Sequence, residues 1–241
     1  MNRIYEDILK FISNGQKMLA VLIDPDKMQI DNVAQFVSKV NTSIATHIFV
    51  GGSTVTDQIT ESLVIELKKH TQLPIVLFPG DLSQISNEAN AILFLSLISG
   101  NNPDYLINKH VLAVKKLNSS NLEIIPTGYI LIENGTTTAV EKVTGTQPMS
   151  RDNIQLVEHT AKAGEYLGMK LIYLEAGSGA YTPVSCKMIT AVKQTLRIPL
   201  IVGGGIKTKK QLDDAFNSGA DIVVIGTALE QDESFFEELK P

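Results

Sequence analysis

The residues best suited to chemistry lie in segment 171–180. An apolar run that contains Tyr173 ends in Glu175 and then in the turn Gly177-Ser178-Gly179. This order is typical of a strand and a loop, and Thr182-Pro183 predicts the start of the next helix. Tyr173 and Glu175 are two residues apart, so in a strand they point to the same face. Glu175 is suited to be a general base for a substrate hydroxyl, and a structural salt bridge is the alternative.

Two later strand candidates also end in glycine. Gly203-Gly204-Gly205 follows one of them, and Gly226-Thr227 follows the next. Backbone N–H groups at such turns attract phosphate, and the loops after strands seven and eight are a common phosphate site in (β/α)8 barrels. We therefore expect these two turns and Gly177-Ser178-Gly179 to meet in a phosphate cradle. The alternative is that the glycines only make tight turns.

A metal site is predicted from Asp24, at the end of the first strand candidate, and Ser53, in the turn after the second. Mg²⁺ takes one or two protein ligands, several waters and substrate phosphate oxygens. A turn or helix cap is an equally good interpretation of Asp24. The four histidines are scattered, and Cys186 falls inside a predicted helix, so we assign them no chemistry. No lysine ends strands five to eight, which disfavours a Schiff-base aldolase.

Composition narrows the class of protein. The 241 residues are 44% hydrophobic and 20% charged, which is typical of a folded chain with a large core. The net charge of −5 does not suit a nucleic-acid partner. A single cysteine suits the reducing cytoplasm. The first 14 residues lack a signal-peptide pattern, and no apolar run has the length of a transmembrane helix. We expect one cytoplasmic domain over residues 1–241.

Apolar runs and helical spacing predict an α/β fold. Eight strands are expected, at 18–23, 46–50, 74–78, 91–95, 122–126, 171–175, 199–202 and 221–225. Helical patterns separate most of them, which indicates a parallel sheet, and eight such units in about 250 residues favour a closed barrel. An open doubly wound sheet is the alternative. It is disfavoured because Thr182 stands where the dinucleotide fingerprint requires its third glycine.

Two connections depart from the regular pattern. Segment 81–90 is too short for a helix with its loops, so the ring of helices should have a gap there. The apolarity of the fourth strand continues to Ile98, so a lateral apolar channel at this gap would suit a lipid tail. The long connection 127–150 contains Asn134-Gly135 between two strand-like runs, Tyr129–Glu133 and Thr136–Val140. That pattern predicts a hairpin, and a connection of this length suits a lid.

The motifs in their order resemble the geranylgeranylglyceryl phosphate synthase family, which includes the bacterial heptaprenylglyceryl phosphate synthases. The resemblance covers essentially the whole chain and rests on four segments: Leu22-Ile23-Asp24-Pro25-Asp26-Lys27, Gly51-Gly52-Ser53, Tyr173-Leu174-Glu175-Ala176-Gly177-Ser178-Gly179 and Val202-Gly203-Gly204-Gly205-Ile206. It implies a modified TIM (β/α)8 barrel in which the helix between strands three and four is replaced by extended chain. It also implies transfer of a prenyl group from a polyprenyl diphosphate to the sn-3 hydroxyl of sn-glycerol 1-phosphate.

Site residues follow from the resemblance by position. Asp24 and Ser53 match the family's Mg²⁺ ligands. Its glycerol-phosphate sites match Tyr173, Leu174, Glu175, Ala176, Gly177, Ser178, Gly179, Gly203, Gly204, Gly226 and Thr227. Many members have Asn at the position of Thr227, so here the amide contact is lost while a hydroxyl is kept. Tyr173 and Glu175 are the expected catalytic pair.

The resemblance further implies a homo-oligomer, a dimer or a hexamer, and contact of the lipid product with a membrane surface. A sugar-phosphate isomerase and a phosphate-binding sensor without catalysis remain alternatives. The isomerase would require a carboxylate at the end of strand five, where this chain has Pro126-Thr127-Gly128. The sensor would not require Asp24 near Ser53.

Overall fold

The computed structural model describes residues 3–53, 55–56 and 58–241. Eight parallel strands close into a barrel, in which each strand pairs with its neighbours in sequence and β8 pairs with β1. The strands are β1 (Met18–Ile23), β2 (Ala45–Val50), β3 (Ile75–Leu77), β4 (Ala91–Leu97), β5 (Glu123–Leu131), β6 (Leu171–Glu175), β7 (Leu200–Gly203) and β8 (Ile222–Ile225). The predicted α/β barrel is therefore confirmed.

Two apolar layers explain why the strands have continuous apolar sequences. On β6, Tyr173 belongs to the cluster that fills the barrel, while Ile172 and Leu174 belong to the layer between strands and helices. Successive side chains of a strand point to opposite faces, and both faces are covered here. The first helix, α1 (Ile4–Ser13), adds Ile4 and Ile8 to the inner cluster.

Helices surround the barrel except at one place. They are α2 (Val33–Asn41), α3 (Ile59–His70), α4 (Lys109–Leu117), α5 (Ala139–Thr144), α6 (Ile154–Tyr166), α7 (Cys186–Thr195), α8 (Lys209–Asn217), α9 (Thr227–Gln231) and α10 (Phe235–Glu238). Between β3 and β4, where every residue is described, the chain forms a single 3₁₀ turn at Leu82–Gln84. The predicted gap in the helical ring is confirmed. No helix in the described ranges is long and apolar enough to span a membrane.

The predicted hairpin in segment 129–140 is wrong. Tyr129 to Leu131 extend β5, where they pair with Tyr173 to Glu175 of β6. The second half starts a helix, because Thr138 and Glu141 form a capping box at the start of α5. The strong turn signal of Asn134-Gly135 therefore marks a loop between a strand and a helix.

One predicted helix start is displaced. α7 begins after Ser185 rather than at Thr182-Pro183, and the Ser185 hydroxyl accepts the Met188 N–H at 3.3 Å. α6 begins after Asn153, whose side chain accepts the Leu156 N–H at 3.2 Å. α8 begins after Thr208, whose hydroxyl accepts the Gln211 N–H at 3.2 Å.

Candidate active site

A cavity opens at the carboxyl ends of the strands, between the loops that follow β1, β2, β6, β7 and β8. These ends meet at one edge because all strands are parallel. The structure brings nine of the predicted site residues to its wall: Asp24, Ser53, Tyr173, Glu175, Ser178, Gly179, Gly204, Gly226 and Thr227. Residues from opposite sides of the barrel thus face one space.

The three glycine turns meet on one side of this cavity. The hydroxyls of Ser178 and Thr227 are 2.9 Å apart, which joins the loop after β6 to that after β8. Gly204 has φ +84°, and a Cβ there would lie 2.6 Å from the backbone nitrogen of Gly177. Among the described residues, no backbone group accepts the N–H groups of Ser178, Gly179 and Gly205. These free donors suit an anion.

The other four predicted residues lie behind the wall. The side chains of Leu174 and Ala176 pack in the outer apolar layer. Both backbone groups of Ala176 are occupied, because its N–H donates to the Gly203 carbonyl at 3.0 Å and its carbonyl accepts the Asn134 amide. The Gly177 N–H donates to Glu175 Oε1 at 2.6 Å. These residues shape the site from within.

Tyr173 and Glu175 form a buried pair at the floor of the cavity, with 0% and 5% of their surface exposed. Burial raises the pKa of the Glu175 carboxyl, and the groups that oppose the rise are Tyr173 and the Gly177 N–H. Burial and the nearby carboxylate raise the pKa of the Tyr173 phenol, so it stays protonated. Tyr173 Oη lies beside Glu175 but has no partner of ordinary hydrogen-bond geometry within the described ranges. A buried, unpaired donor of this kind suits a bound ligand.

A second, apolar cavity occupies the gap in the helical ring. Its wall is formed by β4, α4, α5 and the segment that follows β3, and includes Leu93, Phe94, Leu97, His110, Ala113, Val140 and Val143. Phe78 separates it from the first cavity, with its ring centroid 5.3 Å from that of Tyr173 and 6.0 Å from that of Tyr129. Five residues line both cavities: Gly52, Ser53, Phe78, Tyr129 and Val140. The two cavities therefore adjoin at the end of β2, where these residues form the junction between them.

Asp24 and Ser53 lie on the side of the first cavity that faces this junction. A Cβ on Gly52 would lie 3.0 Å from Asp24 Oδ1, so the carboxylate is beside the loop that carries Ser53. Within the described parts of the chain, no three His, Cys, Asp or Glu residues cluster in the manner of a metal site built by protein alone. One carboxylate and one hydroxyl fit Mg²⁺ that takes its remaining ligands from water and phosphate.

Sequence reasoning missed two features here. Lys27 bridges Asp24 Oδ2 at 3.2 Å and Glu230 Oε2 at 3.0 Å, although Glu230 is distant in sequence. Gln84 lies in the short turn that replaces the missing helix and bonds to Gly52. The Asp24-Pro25-Asp26-Lys27 pattern placed Lys27 near Asp24, but nothing local indicated the partners Glu230 and Gln84.

The sequence is similar to known proteins over nearly its whole length. The model of the PcrB family matches residues 14–240. The chain is 55% identical to the geranylgeranylglyceryl phosphate synthase of Flavobacterium johnsoniae, over 98% of both chains. It is 52% identical to that of Zunongwangia profunda, over 97% of this chain and 99% of the relative.

A solved structure is similar over nearly the whole chain. It is (S)-3-O-geranylgeranylglyceryl phosphate synthase from Thermoplasma acidophilum, in complex with its substrate sn-glycerol 1-phosphate. The TM-score is 0.93 at 33% identity, and the match covers 99% of this chain and 96% of that one. These matches confirm the resemblance found in the sequence. This chain therefore belongs to the PcrB family, in common with these geranylgeranylglyceryl phosphate synthases.

Proposed function

We propose that this protein is a prenyltransferase of the geranylgeranylglyceryl phosphate synthase type. It moves a geranylgeranyl or other long polyprenyl group from its diphosphate to the sn-3 hydroxyl of sn-glycerol 1-phosphate. One observation carries the proposal: the cavity that holds a cradle of free backbone N–H groups and the buried pair Tyr173 and Glu175 shares part of its wall with an apolar cavity. The two substrates need those two environments, and the reaction joins them.

The cradle binds the glycerol phosphate. Free N–H groups at Ser178, Gly179 and Gly205 donate to the phosphate oxygens, and the hydroxyls of Ser178 and Thr227 complete the site. The phosphate is anchored by backbone, so its position is set by the barrel itself. With the phosphate held there, the hydroxyl end of this short molecule reaches toward Glu175. Holding both reactants in the reactive orientation can lower the activation free energy of a bimolecular reaction by up to about 7–11 kcal/mol.

Glu175 takes the proton of the attacking hydroxyl. The glycerol oxygen forms a bond to the first carbon of the prenyl chain, while the bond from that carbon to diphosphate breaks and the diphosphate leaves with the electron pair. The released proton goes to the carboxylate, whose raised pKa makes it a better acceptor than an exposed Glu. The protonated Tyr173 donates a hydrogen bond to the glycerol molecule and so satisfies its unpaired hydroxyl.

Asp24 and Ser53 are the residues that would hold Mg²⁺. When bound, the ion neutralises the diphosphate and stabilises it as a leaving group. The position of these residues beside the junction of the cavities is what supports this part of the proposal. Lys27 lies on the same side and forms ion pairs with Asp24 and Glu230.

The apolar cavity holds the prenyl tail, and α5 covers the junction. Ala139 and Val140 of this helix line the first cavity, and Val140 and Val143 line the second. We propose that the segment excludes water, which would otherwise hydrolyse the diphosphate. Replacing 139–144 with a Gly-Ser linker should raise diphosphate release without ether product. An unchanged ratio of hydrolysis to transfer would rule this role out.

Assembly and location are proposed from the resemblance. The protein acts in the cytoplasm as a homo-oligomer, a dimer or a hexamer, and meets a membrane surface when it receives or releases lipid. Light scattering on the purified protein would give its molecular mass in solution. A mass equal to one chain would exclude the proposed homo-oligomer.

The test of the reaction is an assay with sn-glycerol 1-phosphate, Mg²⁺ and prenyl diphosphates of increasing length. We expect an ether product that disappears on chelation and in Asp24→Ala. If no donor gives product while glycerol phosphate still binds, the chain would be an isomerase or a sensor. A matched assay with sn-glycerol 3-phosphate controls for stereochemistry.

A further inference from the structure

Gln84 is buried at the point where the chain replaces the missing helix. It closes the 3₁₀ turn after β3 and is 1% exposed. Its Oε1 accepts the N–H of Gly52 at 3.2 Å and that of Gly80 at 3.3 Å. Its Nε2 donates to the Gly52 carbonyl at 2.8 Å. One side chain thus binds both backbone groups of Gly52 and joins the loop after β2 to the loop after β3.

At neutral pH an amide is suited to this set of bonds, because it carries both an acceptor and a donor. The site requires an acceptor for two N–H groups and a donor for a carbonyl, which a carboxylate or an apolar side chain does not combine. A buried carbonyl that loses its donor is costly, so the loops would shift rather than leave the Gly52 carbonyl unpaired. The short turn therefore has a structural role of its own: it places the Gln84 side chain against Gly52.

The loop that Gln84 holds carries Ser53 and borders Asp24. A Cβ on Gly80 would lie 2.4 Å from the Gly52 carbonyl oxygen and 2.8 Å from that of Ser53, so the two loops are closely packed. Gly52 and Ser53 also line both cavities. A change in the position of Gly52 would therefore move the junction where the diphosphate must lie.

We propose that Gln84 is a positioning residue for the diphosphate side of the site. It fixes Ser53 relative to Asp24, and this inference rests on the proposed function. The glycerol-phosphate cradle is built from loops after β6, β7 and β8. Among the described residues, the side chain of Gln84 bonds only to Gly52 and Gly80, in the loops after β2 and β3. Loss of Gln84 should therefore weaken binding of the metal and the prenyl diphosphate and leave binding of glycerol phosphate unchanged.

Gln84→Glu and Gln84→Met are the test variants, with Asn90→Ala as the control. Asn90 Oδ1 accepts the Ile75 N–H at 2.8 Å at the opposite end of the same connection, so its loss is purely structural. Mn²⁺ binding in the presence of inorganic diphosphate would be followed by electron paramagnetic resonance. Binding of sn-glycerol 1-phosphate would be followed by calorimetry, and the KM for each substrate by steady-state kinetics.

We expect both Gln84 variants to weaken Mn²⁺–diphosphate binding and raise the donor KM by about tenfold, the size expected for a lost buried hydrogen bond. The affinity for glycerol phosphate should stay within twofold. In Gln84→Glu the defect relative to wild type should shrink as the pH falls, because a protonated Glu can again donate to the Gly52 carbonyl.

Three results would overturn the proposal. These are an equal loss of affinity for both substrates, no loss for either, and the same pattern in Asn90→Ala. The Mn²⁺–diphosphate measurement does not depend on turnover. If no donor gives ether product, the proposed function fails, yet this binding readout still decides whether Gln84 positions the anion site.

Discussion

On one side of the barrel mouth, the loops after β6, β7 and β8 present glycine backbone and the hydroxyls of Ser178 and Thr227. On the other side, β4 and α4 present Phe94 and His110, whose rings are 4.4 Å apart. The first side binds negative charge mainly through backbone N–H groups, whose positions are fixed by the strands that the loops follow. The second side binds the hydrocarbon chain through contacts with apolar and aromatic side chains. Mutations should therefore affect the first side through backbone geometry and the second through side-chain size.

The largest effect is expected at the proton acceptor, which lies on the first side. Glu175→Gln removes the proton acceptor and should lower kcat by about 10²–10⁴-fold, with little change in glycerol-phosphate affinity. In the wild type, kcat should fall as the pH drops through the Glu175 pKa, which burial raises above its ordinary value. A protonated carboxyl cannot take the hydroxyl proton. A pH–rate profile of both proteins is the measurement, and a kcat within tenfold of wild type would exclude Glu175 as the base.

The backbone side is tested by Gly204→Ala, with Gly168→Ala as its match. Both glycines have left-handed φ, +84° and +95°, so each alanine carries a similar strain of about 1–2 kcal/mol. A Cβ at 204 would lie 2.4 Å from Glu175 Oε1, whereas nothing lies within 4 Å of one at 168.

We expect Gly204→Ala to weaken glycerol-phosphate binding by at least about tenfold, since overpacking costs about 1–3 kcal/mol. Gly168→Ala should only lower the melting temperature. Calorimetric titration of both variants decides the matter. Equal losses of affinity would show that strain, rather than the shape of the cradle, is responsible.

The second side, which acts through side chains, is tested by Phe94→Ala. The ring lines the apolar cavity and packs on His110, so its removal should raise the KM for a long prenyl diphosphate by about tenfold. The affinity for glycerol phosphate should not change. Steady-state kinetics with each substrate varied in turn would show this split. Coupled losses would mean that the two halves are not independent.

The smallest effect is expected from Lys27→Met. Lys27 neutralises Asp24 and Glu230 and is half exposed, so its removal should change the free energy of unfolding by less than about 1 kcal/mol. It also competes with a metal for Asp24, and Mn²⁺ should bind up to about fivefold more tightly without it. Lys210→Met is the control, because Lys210 pairs with Asp214 and does not line the cavity. Weaker Mn²⁺ binding would mean that Lys27 assists the metal site.

The barrel could be predicted because its strands are buried on both faces. Met18–Ile23 is a continuous apolar run, and Leu171–Glu175 is apolar up to its final glutamate; the structure reproduces the bounds of both strands. The gap at 81–90 followed from chain length alone, since ten residues cannot hold a helix and two loops. The expectation that three glycine turns would face one another followed from the fold, because parallel strands bring their carboxyl ends together.

Local signals failed where two of them competed. Asn134-Gly135 favours a tight hairpin, but the Asn134 amide is taken by the Ala176 carbonyl and the Thr138–Glu141 capping box starts a helix instead. Contacts between distant residues gave no local signal. The Lys27–Glu230 bridge and the bonds from Gln84 to Gly52 depend on loops that only the closed barrel brings together.

The shared wall of the two cavities has a consequence for turnover. Gly52, Ser53 and Phe78 border both spaces, so a molecule that combines a phosphate head with a prenyl tail fills them at once. Such a molecule gains the binding energy of both sites while losing its translational freedom once. The ether product is itself such a bivalent ligand. We expect its departure to limit the turnover rate, and an inert analogue that links the two substrates to inhibit more strongly than either one alone.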